Sequence, residues 1–282
     1  MTTNNASRGK ILGTGTHPGT GTHPRPGLTV ARIGIVSRDY NHRYPNGFRD
    51  FSAAFAEVLA LLDKEGCDTV LFSSFSIDLS ERKSFRPPSI PLRKIKVVLY
   101  EEFIDGKKRK GLQCVVFYRR ADKWHRYDLP RQVFGSLKGL TPKHKKEKVD
   151  KLVEVMPGRT SGNCCAILCG EINGVPWSQK RRKVRDDFGL RGSLPSKATV
   201  VLNPGHDLMI PYQMKCKRRF LSENDRWVIS VWNRGKRVNG RPRDGKKPPW
   251  TVFHDGKKRE IVVNRIPNEL GVEIGVLPID RT

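Results

Sequence analysis

Residues 29 to 75 place an apolar run, a helical stretch and a second apolar run in succession, and few folds accept that order. In "TVARIGIVSRDYN", Val30, Ile33, Ile35 and Val36 make a buried strand. In "GFRDFSAAFAEVLALLDKEGCD", Phe48, Phe51, Phe55, Val58, Leu59 and Leu62 recur at helical spacing, and Gly66 supplies a stop. "DTVLFSSF" reads as a second strand. Strand–helix–strand is the opening of a layered α/β fold.

The remainder keeps that grammar. "KIKVVLYEEF" and the run after the basic turn "DGKKRKG" are predicted strands, as are "CCAILCGE", "KATVVLNPG" and "RWVISVWNRG". "PYQMKCKRRFLSEND" reads as a helix, and "WTVFHDGKKREIVV" as a hairpin turned at Asp255-Gly256. "TPKHKKEKVDK" reads as helix or loop, and "KRRKVRDDFGLRG" as a basic loop or short helix. Residues 1–28 repeat GTGTHP; Gly, Thr and Pro bury too little surface to offset ordering entropy, so a flexible tail is expected there. His17 and His23 in that tail read as solvent-exposed rather than as metal ligands.

Charge limits the partners. The chain of 282 residues carries 54 Lys and Arg against 28 Asp and Glu, a net charge of +26. Such a field attracts polyanions, nucleic acid above all, or an acidic protein; a merely solvated basic surface is the plainer reading. "QKRRKVR", "KCKRR", "PKHKKEK" and "RGKRVNGRPRDGKK" are separate basic segments, and Trp177, Trp232 and Trp250 lie among them. Trp232 sits in an apolar strand, where core packing is its expected use. No helix-turn-helix, zinc-finger or RNA-recognition signature appears, so phosphate contact is all that charge argues.

The six cysteines make no disulfide framework, and Cys165 and Cys169 are spaced for one face of a strand rather than for zinc. No metal and no cofactor are expected, and a reducing cytoplasm fits. No apolar run reaches membrane-spanning length and no apolar leader is present, so neither membrane insertion nor secretion is expected.

"AILCGEINGV" holds the chemistry-bearing candidate. Cys169, at the end of an apolar run and followed by Gly170 and Glu171, reads as a nucleophile, a metal ligand or a small buried hydrophobe. The ordered set resembles the nitrilase, or carbon–nitrogen hydrolase, superfamily. It comprises the strand–helix–strand start, the strand ending in Cys169-Gly170-Glu171, and "RRFLSENDRWVISVWNRG" with Arg219, Glu223, Asn224 and Asn233-Arg234-Gly235. The resemblance spans residues 30 to about 280, and it implies a nitrilase-like domain over residues 29–282.

It implies a four-layer α-β-β-α sandwich of two antiparallel-rich sheets, and a homodimer through helical faces. It also implies a Glu–Lys–Cys triad that hydrolyses amides or nitriles through a thioester. Cys169 takes the nucleophile's place and Glu171 supports it. Ser74 stands where the family's general base belongs. Leu129 falls nearest the lysine, with Arg131 and Lys138 the substitutes close by in sequence. Glu101 or Glu102, at a strand end, is the alternative carboxylate. Two functions stay open: an amidase-like hydrolase with an altered triad, or a non-catalytic protein of this fold whose basic surface binds nucleic acid or an acidic partner.

Overall fold

The computed structural model describes residues 29–42, 50–80, 84–104, 113–120, 123–206, 211–235, 237–239, 241–242 and 247–279; the expected tail 1–28 and the turn "DGKKRKG" lie outside them. In chain order the strands begin with β1 Arg32–Arg38, β2 Thr69–Phe72, β3 Ile77–Asp78, β4 Val97–Phe103, β5 Gln113–Arg120 and β6 Lys123–Asp128. They continue with β7 Thr160–Ser161, β8 Cys164–Ala166, β9 Trp177–Ser178, β10 Lys183–Val184, β11 Val200–Pro204 and β12 Trp227–Val231. The last are β13 Arg237–Val238, β14 Arg241–Pro242, β15 Trp250–His254, β16 Lys257–Arg259, β17 Val263–Arg265 and β18 Val272–Pro278. The helices are α1 Phe55–Lys64, α2 Pro142–Val155 and α3 Pro211–Leu221.

Two large sheets form. One runs β17-β18-β1-β2-β4-β5-β6, with β3 beside β4, and the other runs β16-β15-β12-β11-β8-β7. Antiparallel pairings outnumber parallel ones, as expected, and the parallel ones lie at the centres. There β1, β2 and β4 are parallel, as are β8, β11 and β12, while the flanking pairs are antiparallel. Parallel neighbours need a crossover, and α1 supplies it between β1 and β2, as α3 does between β11 and β12.

Side-chain alternation separates four layers. Phe55, Val58, Leu59 and Leu62 of α1 pack on Val36, Val70, Phe72, Val98 and Tyr100, one face of the first sheet. The opposite face offers Ile33, Ile35, Leu71 and Leu99, which meet Ala166, Val200, Leu202, Ile229 and Val252 of the second sheet. Beyond that sheet, Cys165, Val201 and Val228 pack under Val149 and Leu152 of α2 and Met214 and Leu221 of α3. The architecture is therefore an α-β-β-α sandwich. A Cβ at Gly34 would stand 2.7 Å from a Leu62 methyl of α1, so a larger residue there must displace that core side chain.

Helix ends follow local chemistry. Thr141 accepts from the His144 N–H at 3.3 Å and Pro142 opens α2. The segment "TPKHKKEKVDK" is thus a helix with Val149 and Leu152 buried and its lysines outward. The helix expected through Asp225 ends at Leu221, and Asn224 and Asp225 adopt φ +66 and +55.

The sheets are tied together at one end. Ser37 Oγ donates to the Trp232 carbonyl at 2.7 Å, and Arg234 N–H to the Arg38 carbonyl at 2.8 Å. Asn233 accepts from Ser73 Oγ at 2.6 Å and donates to the Ser74 carbonyl at 2.9 Å. Replacing Asn233 by Ala strands buried polar groups of the other sheet, each costing about 1–3 kcal/mol. Urea unfolding of Asn233→Ala should show a loss in that range, and a change under about 0.5 kcal/mol, the scale of an ordinary surface substitution, would show the tie to be dispensable.

Candidate active site

β2 and β4 of one sheet and β8, β11 and β12 of the other all finish at this tied end. Leucine at 99 faces the inter-sheet core, so by alternation Glu101 faces it too, while Glu102 turns outward to a bidentate pair with Arg126 at 2.7 Å. Glu101 is buried, and its Oε2 accepts the Phe75 N–H at 2.7 Å. The same oxygen lies 3.1 Å from His206 Nε2. His206 Nδ1 in turn lies 3.0 Å from Cys169 Sγ.

Cys169 does not continue a strand, as the apolar run suggested. Strand β8 stops at Ala166 and a 3-10 turn spans Cys169–Gly174, with Cys169 at φ +31. The strand yields because three groups compel the turn. Asn203 Nδ2 donates to the carbonyl of Ile167 at 2.7 Å and to that of Cys169 at 3.3 Å, and Ser230 Oγ holds Asn203 Oδ1 at 2.9 Å. Gly170 meets the Gly135 carbonyl so closely that a Cβ would lie 1.9 Å from its oxygen. Glu171 reaches back to the Leu168 N–H at 2.9 Å, accepts the Val133 N–H at 2.6 Å and pairs with Arg159 at 2.5 Å. A left-handed residue on a tight strand-to-helix turn is how a nucleophile is raised clear of its sheet.

The ring of His206 lies 3.8 Å, centroid to centroid, from that of Phe75, itself in the left-handed region at φ +57. Burial alone would push the imidazole's pKa down, but its hydrogen bonds to Cys169 and Glu101 raise it from the ordinary 6.5 to about 10. Burial pushes the thiol of Cys67 up to about 12, and raises those of Cys114, Cys164 and Cys165 as well. Cys169 and Cys216 are the two partly exposed cysteines.

Two buried cations stand in the covering helix. Lys217 Nζ donates to Asn173 Oδ1 at 2.7 Å, on the turn that Cys169 begins, and burial lowers its pKa to about 8. Burial also lowers Arg218 to about 10, opposed by the charge of Cys169; its guanidinium stands 4.9 Å from the Trp232 ring.

The structure thus brings Cys169, Glu171 and Ser74 to one end of the sandwich. Ser74 is buried there, its N–H bonded to the Gly205 carbonyl at 3.1 Å. Arg131 and Lys138 have exposed side chains, and it is the Arg131 carbonyl that is engaged, by Arg159. Leu129 is core. His206 escaped the sequence reading. Its signal was present in "VVLNPGH", an apolar strand followed by Gly-His, and that strand pairs with β8, which leads into Cys169. Among the described residues no cluster of three or more His, Cys, Asp and Glu could hold a metal, and no helix is long and apolar enough to cross a membrane. A cavity of about 60 Å³ between the sheets, lined by Leu99, Val116, Tyr127, Cys164 and Leu202, is apolar and excludes Cys169, His206 and Glu101.

No protein-family model and no curated protein matches the chain. Solved structures do. The amidase from Nesterenkonia sp. AN1, in complex with acrylamide, is 11% identical over 92% of this chain and 94% of that one, with a TM-score of 0.45. The carbon–nitrogen hydrolase from Helicobacter pylori G27 is 10% identical over 88% of each chain, with a TM-score of 0.42. XC1258 from Xanthomonas campestris, a CN-hydrolase superfamily protein, is 12% identical over 83% of this chain and 86% of that one, with a TM-score of 0.40. The four-layer architecture stands on the strand order and cores described above.

The Arg159–Glu171 pair has both side chains at 0% exposure, so removing one partner leaves an uncompensated buried charge. Glu171→Ala should lose about 3–5 kcal/mol in chemical denaturation. A loss under 1 kcal/mol would show that the turn holds without it.

Proposed function

We propose that the protein is a thiol hydrolase of carbon–nitrogen bonds in which Cys169 is the nucleophile, His206 carries the proton and Glu101 orients the ring. The observation that carries this reading is the run of contacts from Cys169 Sγ to His206 Nδ1 and from His206 Nε2 to Glu101, at 3.0 and 3.1 Å. A nucleophile within reach of a base, itself oriented by a third group, is the general pattern of activated-nucleophile catalysis. This assignment gives the carboxylate to β4 and leaves Ser74, at the end of β2, with no proton to move.

In the proposed reaction, the Cys169 sulfur attacks the amide carbon and its proton resides on His206. A tetrahedral adduct forms and collapses as the imidazolium protonates the leaving nitrogen, releasing an amine or ammonia and leaving a thioester. Neutral His206 then takes a proton from water, whose oxygen attacks the thioester carbon. Collapse releases the carboxylic acid and returns the proton to the Cys169–His206 pair. Arg218, whose charge interacts with that of Cys169, adds a positive field at the reacting atoms.

Intact-mass spectrometry during turnover of small aliphatic amides tests this. An acyl adduct on Cys169 with release of ammonia is expected, absent in Cys169→Ala and reduced about 10²–10⁴-fold in rate by His206→Ala. Iodoacetamide should label Cys169 well before Cys67, Cys114, Cys164 and Cys165. Uniform labelling together with no Cys169-dependent adduct would sink the proposal.

The raised pKa of His206 sets a second test. A group whose folded pKa lies above its unfolded value stabilises fully below the unfolded one, here 6.5, and loses that contribution as pH rises toward about 10. The stability gap between the wild type and His206→Gln should therefore shrink from pH 6.5 to pH 10 in thermal or urea unfolding. A gap independent of pH over that window would separate His206 from a charged partnership with Cys169.

A further inference from the structure

We propose that single-stranded nucleic acid docks on an aromatic and basic platform formed by Trp177 and Tyr212, beside the Cys169 turn. The helices of the two faces differ in charge. Helix α1, over the first sheet, has the acids Glu57 and Asp63 against Lys64. On the opposite face α2 carries five lysines against three acids, and α3 carries Lys215, Lys217, Arg218 and Arg219 with no acid. The β9–β10 hairpin, which packs on α3, turns through residues 180–183 as Lys-Arg-Arg-Lys, all exposed. These four make no ion pair with a carboxylate among the described residues.

Charge alone is a solvated surface; what distinguishes this one is the pair of rings set into it. Tyr212 is 62% exposed on the first turn of α3. Its ring meets that of Trp177, at the base of the hairpin, edge to face at 5.5 Å and 88°. Lys215 and Arg219, three and seven residues on from Tyr212, continue an exposed stripe along α3. Trp232 is buried, in keeping with its expected core packing, and Trp250 is buried too, so of the tryptophans among the basic segments Trp177 is the one left, with Tyr212, to meet bases. A tyrosine that leaves most of its ring in water, beside a tryptophan and a tetrad of cations, presents what unpaired bases and their phosphates need. A duplex hides its base faces and an acidic protein has none, so neither uses the rings. The platform also adjoins the site in the chain: Trp177 follows the Cys169–Gly174 turn, and α3 follows His206.

Fluorescence anisotropy with a labelled 20-residue oligothymidine tests the proposal on the full chain, with a duplex of equal length, heparin and polyglutamate as comparisons. The single strand should bind tightest. Tyr212→Ala should weaken it about five- to 150-fold, with Tyr212→Phe close to wild type. Replacing Arg181 and Arg182 together by Glu should flatten the log–log salt slope by about 1.4, roughly 0.7 per lost phosphate contact. Cys169→Ala should bind as the wild type does, which separates this proposal from the hydrolase reading. Equal affinity for heparin with no effect of Tyr212→Ala would reduce the face to a plain polyanion patch, and preference for duplex or polyglutamate would assign it another partner. Either outcome overturns the proposal, as does the absence of any binding at 50 mM salt.

Discussion

The buried pair of Glu171 and Arg159 is the contact on which the arrangement around Cys169 depends. Two charges with no exposure survive only when every oxygen and N–H is met. Here the carboxylate takes four donors: two from the guanidinium and the backbone N–H groups of Val133 and Leu168. The guanidinium, in turn, also donates to the carbonyls of Pro130 and Arg131. One ion pair therefore binds the loop after β6, the end of α2 and the turn after β8 into a single unit. The Cys-Gly-Glu triplet then has a reason at each position. Glutamate supplies the clamp, glycine admits the Gly135 carbonyl, and cysteine takes the left-handed corner that results.

The second half of the site is fixed from the opposite sheet. Phe75 does two things: its N–H holds Glu101 and its ring packs on His206. Its left-handed backbone is the local cost of that double duty, and Ser76 over-determines it by bonding the Ser73 carbonyl through Oγ and the Glu101 carbonyl through N–H. The three groups come from the ends of three strands in two sheets, so their spacing is set by the 10 Å scale of sheet packing and by the ties through Ser37, Asn233 and Arg234. A rigid scaffold on both sides is what an aligned Cys–His–Glu contact chain requires.

Much of this was legible in the sequence and some was not, for reasons that differ by residue. The layers could be read because the apolar period switches cleanly, as between Ile33, Ile35 and Phe55, Val58, Leu59, Leu62. Cys169-Gly170-Glu171 stood out as a strand-end triplet. Its true backbone did not, since a 3-10 turn imposed by Asn203 and Arg159 is invisible in an apolar run. Glu101 was one of two adjacent carboxylates, and only the alternation of β4, set by which face meets the second sheet, separates it from Glu102. His206 lay just past a strand end, after a single Pro-Gly step, with no periodicity of its own. Arg131 and Lys138 were near the expected cation in sequence, but their loop spends its backbone on Arg159 and turns the side chains to water.

The partners that the proposed reaction gives Cys169 have a chemical consequence. A carboxylate base working with a separate lysine divides proton uptake and charge stabilisation between two fixed groups. An imidazole between sulfur and carboxylate can take a proton from one partner and deliver it to the leaving nitrogen, and the carboxylate need never titrate. Such a ring must be held but not locked, and His206 is held on one edge by Glu101 and on one face by Phe75, while about a fifth of its side chain remains open to solvent. In the proposed reaction, where His206 carries the proton, the end of β2 needs no carboxylate. Serine there suits a position whose backbone, through its N–H to Gly205 and its carbonyl to Asn233, is already occupied in joining the sheets.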